Sequence, residues 1–346
     1  MPHLPRYDRT KTYQQNFDLA PDPVDVEVPQ LAGDWRFAGL PVASPLGIPA
    51  GPLLNGRWCL YYASLGFDVL TYKTVRSVER DCYPLPNLLP VRCGQLYGGE
   101  DRLPASDTMQ GSWAVSFGMP SKSPDFWRRD IEQTRARLPA GKLLSVSVVG
   151  TVEDNWTIDD LANDYAQCAR WAVASGADCV ETNFSCPNVS TCDGQLYQNP
   201  AEAQLVAAQV RDAIGAVPYF VKVGQVNTDD EVSQLLAALA PHVTGLAMTN
   251  SVAVTVADHT NQLAFDGQRR GICGAAILAA SLAQTEHFAQ QIEAQQLDLE
   301  LIGVGGAATA HDVQRYLAAG ANSVHLATAA MTNPQVAIEI KQQWSP

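Results

Sequence analysis

Short runs of apolar and β-branched residues alternate along the chain with longer stretches in which apolar residues recur at helical spacing. Eight of the short runs are predicted strands: 45–50, 67–74, 143–150, 178–185, 218–224, 243–251, 299–304 and 323–328. Helices are predicted after seven of them: 57–65, 158–175, 201–214, 228–239, 276–294, 310–319 and 334–343. Strands that are apolar on both faces are typical of parallel sheets covered by helices. An α/β chain with eight such strands favours a (β/α)8 TIM barrel over an open doubly wound sheet, which usually has about five or six strands.

Two segments depart from this alternation. The first 40 residues are polar and interrupted by prolines, which predicts an N-terminal arm with little regular structure. The long gap at 75–141 contains one predicted helix, 123–138, and an inserted loop region after the second strand. We therefore divide the chain into an arm, residues 1–40, and a barrel, residues 41–346.

Composition and charge exclude several classes of protein. Hydrophobic residues make up 46% of the 346 residues, which is enough for a large buried core. The 23 Lys and Arg residues against 36 Asp and Glu residues give a net charge of −13, which argues against a nucleic-acid partner. No apolar run reaches the roughly 18 residues that a membrane span needs. The polar residues 1–15 do not resemble a signal peptide, so we expect a cytoplasmic protein.

The cysteines give no sign of a metal site. The chain has eight of them, and no two are spaced as Cys-x-x-Cys. Neither a zinc ribbon nor a four-cysteine iron–sulfur run is therefore expected. Most of the cysteines read as buried, reduced thiols.

Chemistry in such barrels lies at the carboxyl ends of the strands, so the residues at those ends carry the functional prediction. Strand one ends at Ala50 and Gly51, whose small size lets the backbone approach a flat ligand. Strands two and five end with Lys73 and Lys222. A lysine there needs an anionic or polar partner if it is buried, and two of them indicate a bound anion. The alternative is a surface lysine that extends its amine into solvent.

Strand four ends in a dense group of polar residues. Asn183 and Asn188 flank a Ser-Cys-Pro turn, and asparagine offers both donors and acceptors to the edge of an imide or amide ring. Cys186 between them could act as a nucleophile or as a base that removes a proton. Strand six adds Asn250 and Ser251. The alternative is a turn that asparagine side chains stabilise.

Glycine-rich and small residues follow the last two strands. Gly305 and Gly306 follow strand seven, and Ala327 and Thr328 end strand eight. Loops at these two positions form the phosphate site of many such barrels. A phosphate site, two lysines, several amides and a thiol at one rim fit flavin mononucleotide (FMN), with a lysine stabilising the anionic reduced ring.

The hexapeptide Asn-Phe-Ser-Cys-Pro-Asn at 183–188 resembles the signature of the dihydroorotate dehydrogenase family. Further matches follow in order along the chain, at 71–74, 221–223, 249–251, 270–274, 303–306 and 327–328. The resemblance covers roughly residues 38 to 345. It implies an FMN-dependent oxidoreductase that oxidises dihydroorotate to orotate in pyrimidine biosynthesis.

The resemblance also implies a role for each matched residue. Cys186 takes the position of the base that removes a proton from C5 while C6 gives hydride to flavin N5. Lys222 matches the lysine near flavin N1, and Lys73 matches the catalytic lysine between flavin and substrate. The implied substrate-binding residues are Asn183, Asn188, Asn250 and Ser251. The implied cofactor-binding residues are Ala50, Gly51, Lys73, Asn183, Lys222, Gly274, Gly305, Gly306, Ala327 and Thr328.

One loop departs from the family pattern. The family has Asn-x-x-Gly-x-Pro-Asn where this chain has Val115 at the first position and Ser121 after the proline. A different dihydropyrimidine or an unsaturated carbonyl compound is therefore the alternative substrate, and a phosphate-ligand-binding barrel without catalysis is the alternative outside enzymes. The resemblance leaves open a homodimer and a separate electron-transfer partner.

Overall fold

The computed structural model describes residues 4–185 and 192–344. Its strands are β1 Trp35–Phe37, β2 Leu40–Val42, β3 Leu46–Ile48, β4 Val69–Val75, β5 Leu88–Pro90, β6 Arg102–Pro104, β7 Ser112–Val115, β8 Leu143–Val148, β9 Cys179–Asn183, β10 Tyr219–Lys222, β11 Gly245–Met248, β12 Val252–Ala257, β13 Arg270–Gly274, β14 Glu300–Val304 and β15 Ser323–His325. Its α-helices are α1 Tyr13–Asp18, α2 Gly56–Ser64, α3 Pro124–Arg137, α4 Ile158–Ala174, α5 Pro200–Ile214, α6 Asp229–Leu239, α7 Leu278–Ala294, α8 Ala310–Ala318, α9 Thr328–Thr332 and α10 Val336–Gln342.

Eight of these strands close into a parallel barrel in the order β3, β4, β8, β9, β10, β11, β14 and β15. The last of them pairs with the first, with Val324 opposite Leu46. Each predicted strand has its counterpart in the barrel, so the (β/α)8 prediction is confirmed. All eight carboxyl ends consequently lie at one rim.

The other end of the barrel is closed by a hairpin. Strands β1 and β2 pair antiparallel, and Phe37 stacks on Phe220 with ring centroids 4.9 Å apart. Phe37 belongs to a buried cluster with residues at the start of the barrel strands, such as Val69 and Leu143. The hairpin contains residues from both sides of position 40, so the end of the predicted arm packs on the barrel.

The arm also contains a short helix that the sequence interpretation omitted. Helix α1 begins with a capping box, in which Thr12 Oγ1 accepts from the Gln15 amide and the Gln15 side chain accepts from the Thr12 amide. Tyr13 and Phe17 are buried, and the Tyr13 ring lies 6.1 Å from the Phe117 ring, edge to face. The arm therefore packs beneath the loop that contains Phe117.

The inserted region forms a second sheet where a loop region was predicted. Its order is β5, β7, β13, β12 and β6, so it joins residues after the second barrel strand to residues after the sixth. In one of its pairings Ile272 lies opposite Ala114. Because β13 ends at Gly274, this sheet fixes one wall of the barrel rim.

The barrel interior holds one buried histidine. His325 is 2% exposed, its ring stacks near that of Phe37, and neither ring nitrogen has a hydrogen-bond partner within the described ranges. Burial, assisted by the charge of Lys222, lowers the pKa of His325 to about 3. The ring is therefore neutral at physiological pH.

We predict that His325 makes the protein sensitive to acid. Below about pH 6.5 the unfolded chain protonates this histidine, whereas the folded chain does so only near pH 3, so acid favours unfolding. Between pH 7 and pH 5 this linkage removes about 2 kcal/mol from the free energy of unfolding. Between these two pH values, the free energy of unfolding of the His325→Gln variant should fall by about 2 kcal/mol less than that of the parent. Denaturant unfolding of both proteins at both pH values measures this difference. An equal loss in the two proteins would contradict the assignment.

Candidate active site

A pocket opens at the carboxyl ends of the barrel strands and is shared by residues far apart in the sequence. Those named by the sequence analysis are Ala50, Gly51, Lys73, Asn183, Lys222, Asn250, Ser251, Ala327 and Thr328. Cys186 and Asn188, the predicted base and one substrate amide, lie outside the described residues. The pocket also has walls that the sequence did not indicate, formed by side chains such as Leu88, Trp113 and Met331.

Three predicted glycines form tight turns beside this pocket. Gly274 and Gly306 have φ values of +102° and +77°, which L side chains rarely adopt. A Cβ on Gly306 would lie 2.8 Å from the Gly274 carbonyl oxygen, and one on Gly274 would lie 2.2 Å from the Gly111 oxygen. Gly305 directly follows Val304, which lines the pocket. The turns thus bring three backbone segments together with no room for side chains.

Both lysines at the strand ends are buried. Lys73 is 6% exposed on β4 and Lys222 is 2% exposed on β10, so the alternative of surface lysines is wrong for both. Lys222 Nζ donates to Glu181 Oε1 at 2.9 Å. A protein carboxylate therefore compensates the Lys222 charge, where the sequence analysis had assigned compensation to a bound anion.

Glu181 is a site residue that the sequence analysis did not identify. It lies two positions before Asn183 on β9, and alternate residues of a strand share a face. Asn183 itself is paired with Lys222 across β9 and β10. The signal was therefore present, as a glutamate inside a predicted barrel strand on the same face as Asn183.

The two described amides both bond to the backbone of Ser185, which follows β9. Asn183 Oδ1 accepts from the Ser185 amide at 3.1 Å, and its Nδ2 lies 3.4 Å from Met119 Sδ. Asn250 Nδ2 donates to the Ser185 carbonyl oxygen. Both amides are thus anchored to the segment that leads into the predicted base.

One thiol of the described residues lies in the pocket. Cys273 lines it, with Sγ 3.7 Å from the Asn250 carbonyl oxygen. Burial raises the pKa of Cys273 to about 12, although the charge of Lys222 acts in the opposite direction. Cys273 is therefore a neutral thiol in the pocket wall at physiological pH. Because only a thiolate is an effective base or nucleophile, it does not serve as either.

The divergent loop presents mainly apolar groups to the pocket. Val115, Phe117 and Met119 line it, with Gly118 between them. Ser121 turns its hydroxyl to the backbone instead, accepting from the Arg76 amide at 3.0 Å and donating to the Lys122 carbonyl at 2.8 Å. The two positions where the family has asparagine therefore supply no amide to the pocket.

Arg270 anchors this loop from the second sheet. Its Nε donates to Ser116 Oγ at 2.9 Å, and the side chain is buried. The guanidinium lies over the rings of Tyr83 and Phe265, 5.7 and 5.4 Å from their centroids. Such contacts favour a charged guanidinium held against aromatic faces. The second sheet thus fixes the loop that carries Val115 and Phe117.

Comparison with known proteins assigns the family. A family model described as dihydroorotate dehydrogenase matches residues 102–345, which is more than half of the chain. A dihydroorotate dehydrogenase from Dictyostelium discoideum is 30% identical to this chain, over 97% of the chain and 96% of the relative. The chain belongs to the dihydroorotate dehydrogenase family. The resemblance carried by the Asn183–Asn188 motif is confirmed.

Other relatives agree with this assignment. The catalytic subunit of dihydroorotate dehydrogenase B (NAD(+)) from Solidesulfovibrio magneticus is 30% identical over 89% of this chain and 90% of that protein. A crystal structure of DHODH in complex with ferulenol from Eimeria tenella superimposes with a TM-score of 0.69, at 17% identity, over 91% of this chain and 85% of that chain. The structural likeness supports the barrel fold, and family membership makes the chain an oxidoreductase that acts on a CH–CH bond.

Across the described ranges, no helix combines the length and the apolar character needed to span a bilayer.

Proposed function

We propose that this member of the dihydroorotate dehydrogenase family binds FMN in the rim pocket and oxidises dihydroorotate to orotate. The observation that supports this most directly is the convergence of Lys73, Asn183 and Lys222 in one pocket that Ala327 and Thr328 also line. Family membership supplies the reaction class. The barrel, residues 41–346 in the predicted division, is the FMN-binding unit.

The residues beside the pocket fit a phosphorylated flavin. The turns at Gly274, Gly305 and Gly306 have positive φ and pack directly against other parts of the chain. Backbone amides in glycine turns of this kind can bind a phosphate. Ala327 and Thr328 add backbone and hydroxyl donors, and Ala50 and Gly51, which follow the neighbouring strand β3, add small residues to the pocket lining. FMN, when bound there, supplies the hydride acceptor.

Each side chain of the site is assigned its own role in binding or oxidising the substrate. Asn183 and Asn250, with Asn188 and Ser251, would hold the polar edges of the pyrimidine ring, and Lys73 would contact both the substrate and the cofactor. Cys186 would accept the C5 proton, and FMN, if bound, would supply the acceptor for the hydride that leaves C6, so that a C5=C6 double bond would form. Lys222 holds positive charge beside the flavin site.

A second candidate is oxidation or reduction of another dihydropyrimidine or an unsaturated carbonyl compound. It is favoured by the apolar wall at Val115, Phe117 and Met119. A polar substrate edge left without a partner commonly costs about 1–3 kcal/mol. A homodimer and a separate electron-transfer partner stay predictions of the resemblance, and a cytoplasmic location stays a prediction from the polar residues 1–15.

We predict that the purified protein is yellow or becomes yellow on titration with FMN. Anaerobic addition of dihydroorotate should bleach the flavin absorbance faster than addition of dihydrouracil. A protein that binds no FMN would contradict the proposal. Faster bleaching by dihydrouracil would favour the second candidate, and bound flavin that no dihydropyrimidine reduces would favour a ligand-binding barrel without catalysis.

We predict that the two thiols near the substrate differ in function. Cys186→Ala should slow flavin reduction by roughly 100- to 10,000-fold, the usual contribution of a general base, with FMN still bound. In the parent, reduction should accelerate with pH toward about 8.5, the ordinary pKa of a thiol. Cys273→Ala is the matched control and should leave the rate within about threefold, since the pKa of Cys273 lies near 12. Stopped-flow reduction would measure both, and equal effects of the two variants would remove Cys186 from the role of base.

A further inference from the structure

Beneath the rim pocket lies a buried carboxylate that the proposed chemistry does not use. Glu181 is on β9, and its Oε1 is 2.9 Å from Lys222 Nζ on the neighbouring strand β10. Each of the two side chains is 3% exposed. An ion pair so deeply buried is expensive to form and does little for stability compared with apolar packing, so its presence at a ligand site calls for another role.

We propose that Glu181 is a positioning residue that holds Lys222 at the flavin site and balances its charge, and thereby sets the relative affinity of the protein for reduced and oxidised FMN. This inference rests on the proposed function. In this proposal the Glu181 carboxylate controls the charge that faces the cofactor.

The surroundings of Lys222 leave Glu181 as its charge partner. The other titratable groups that face it are His325 on β15, Cys273 on β13 and Lys73, which lines the same pocket. The imidazole and the thiol are both neutral at physiological pH, for the reasons given above. Within the described part of the chain, Glu181 is the carboxylate that contacts the Lys222 ammonium.

Two other acidic groups in or next to the barrel strands are engaged elsewhere. Asp68, next to the start of β4, contacts Lys142 at 2.7 Å and Lys341 at 3.2 Å. Glu300, at the start of β14, accepts from the Ala38 amide at 2.9 Å, at the closed end of the barrel. Glu181 therefore differs from them in its place next to the pocket.

Loss of the Glu181 charge should change the protonation of Lys222. An ammonium group buried without a counter-ion can lose its proton near or below neutral pH, because desolvation disfavours the charged form. In Glu181→Gln, Lys222 should thus be charged and uncompensated at low pH and neutral at high pH. An uncompensated ammonium favours the anionic reduced flavin, and a neutral amine does not.

The test is the midpoint potential of the FMN-loaded protein between pH 6 and pH 9. As the pH rises, the difference in midpoint potential between Glu181→Gln and the parent should change by at least about 30 mV. For a two-electron couple this is a tenfold change in the ratio of affinities for reduced and oxidised flavin, and we call this pH-dependent change the step. The potential should be higher than that of the parent on the acid side and lower on the alkaline side. Adding Lys222→Met to this variant should remove the step, and Glu181→Asp, which retains a carboxylate, should largely restore the parent profile.

Glu300→Gln is the matched control, since it removes a glutamate charge from the closed end of the same barrel and should give no step. A Glu181→Gln profile parallel to that of the parent, or an equal step in Glu300→Gln, would overturn the inference. A parent protein that binds no FMN would instead overturn the proposed function, so the two failures are distinct.

A second measurement does not depend on the folding of any Glu181 variant. Lysine labelled with carbon-13 at Cε reports its own protonation by nuclear magnetic resonance, and Lys222→Met assigns the Lys222 signal. In the parent holoprotein this signal should stay that of an ammonium from pH 6 to pH 9. Deprotonation of Lys222 within that range would contradict the role assigned to Glu181.

Discussion

Closure of the parallel barrel is the constraint on which the site depends. Eight parallel strands that join last to first must present all their carboxyl ends at one rim, so positions as distant as Ala50, Asn183 and Thr328 come to line one pocket. The pairing register then decides which residues meet. Lys222 lies opposite Asn183, and strand alternation places Glu181 on the same face, beneath the pocket.

The two ends of the barrel interior are filled by different kinds of side chain. At the closed end, Phe37 fills the opening with an aromatic ring stacked on Phe220. At the open end, buried charge replaces apolar packing, in the form of the ion pair of Glu181 and Lys222. His325 shares the interior with both and stays neutral there. A buried charge is costly, which is why its placement under the rim, with its partner fixed by the fold, points to function.

Much of the fold could be predicted from the sequence because the barrel strands are continuous apolar runs with helices between them. The second sheet could not, since its strands are three to six residues long and pair residues near 114 with residues near 272. Short strands carry little periodicity, and their stability comes from partners remote in sequence. The helix at Tyr13 was missed although Thr12 and Gln15 form the capping box that announces it.

The candidate site could be predicted where its residues lie at the ends of strands that the sequence pattern identifies. Lys73 and Lys222 were assigned to the rim by their position after apolar runs, whereas the partner of Lys222 was not foreseen because an ion pair between strands depends on register. The apolar character of Val115 was evident in the sequence, but the backbone bonds of Ser121 were not. The local sequence pattern thus identifies the residues at the rim, whereas the contacts of each residue depend on the tertiary structure.

A crystal structure of the protein soaked or co-purified with FMN tests the account most directly. It should show the flavin ring in the pocket between Ala50 and Lys222, with the phosphate against the turns at Gly274 and Gly306 and with Lys222 still paired to Glu181. Flavin bound away from this rim, or a phosphate remote from those glycine turns, would contradict it.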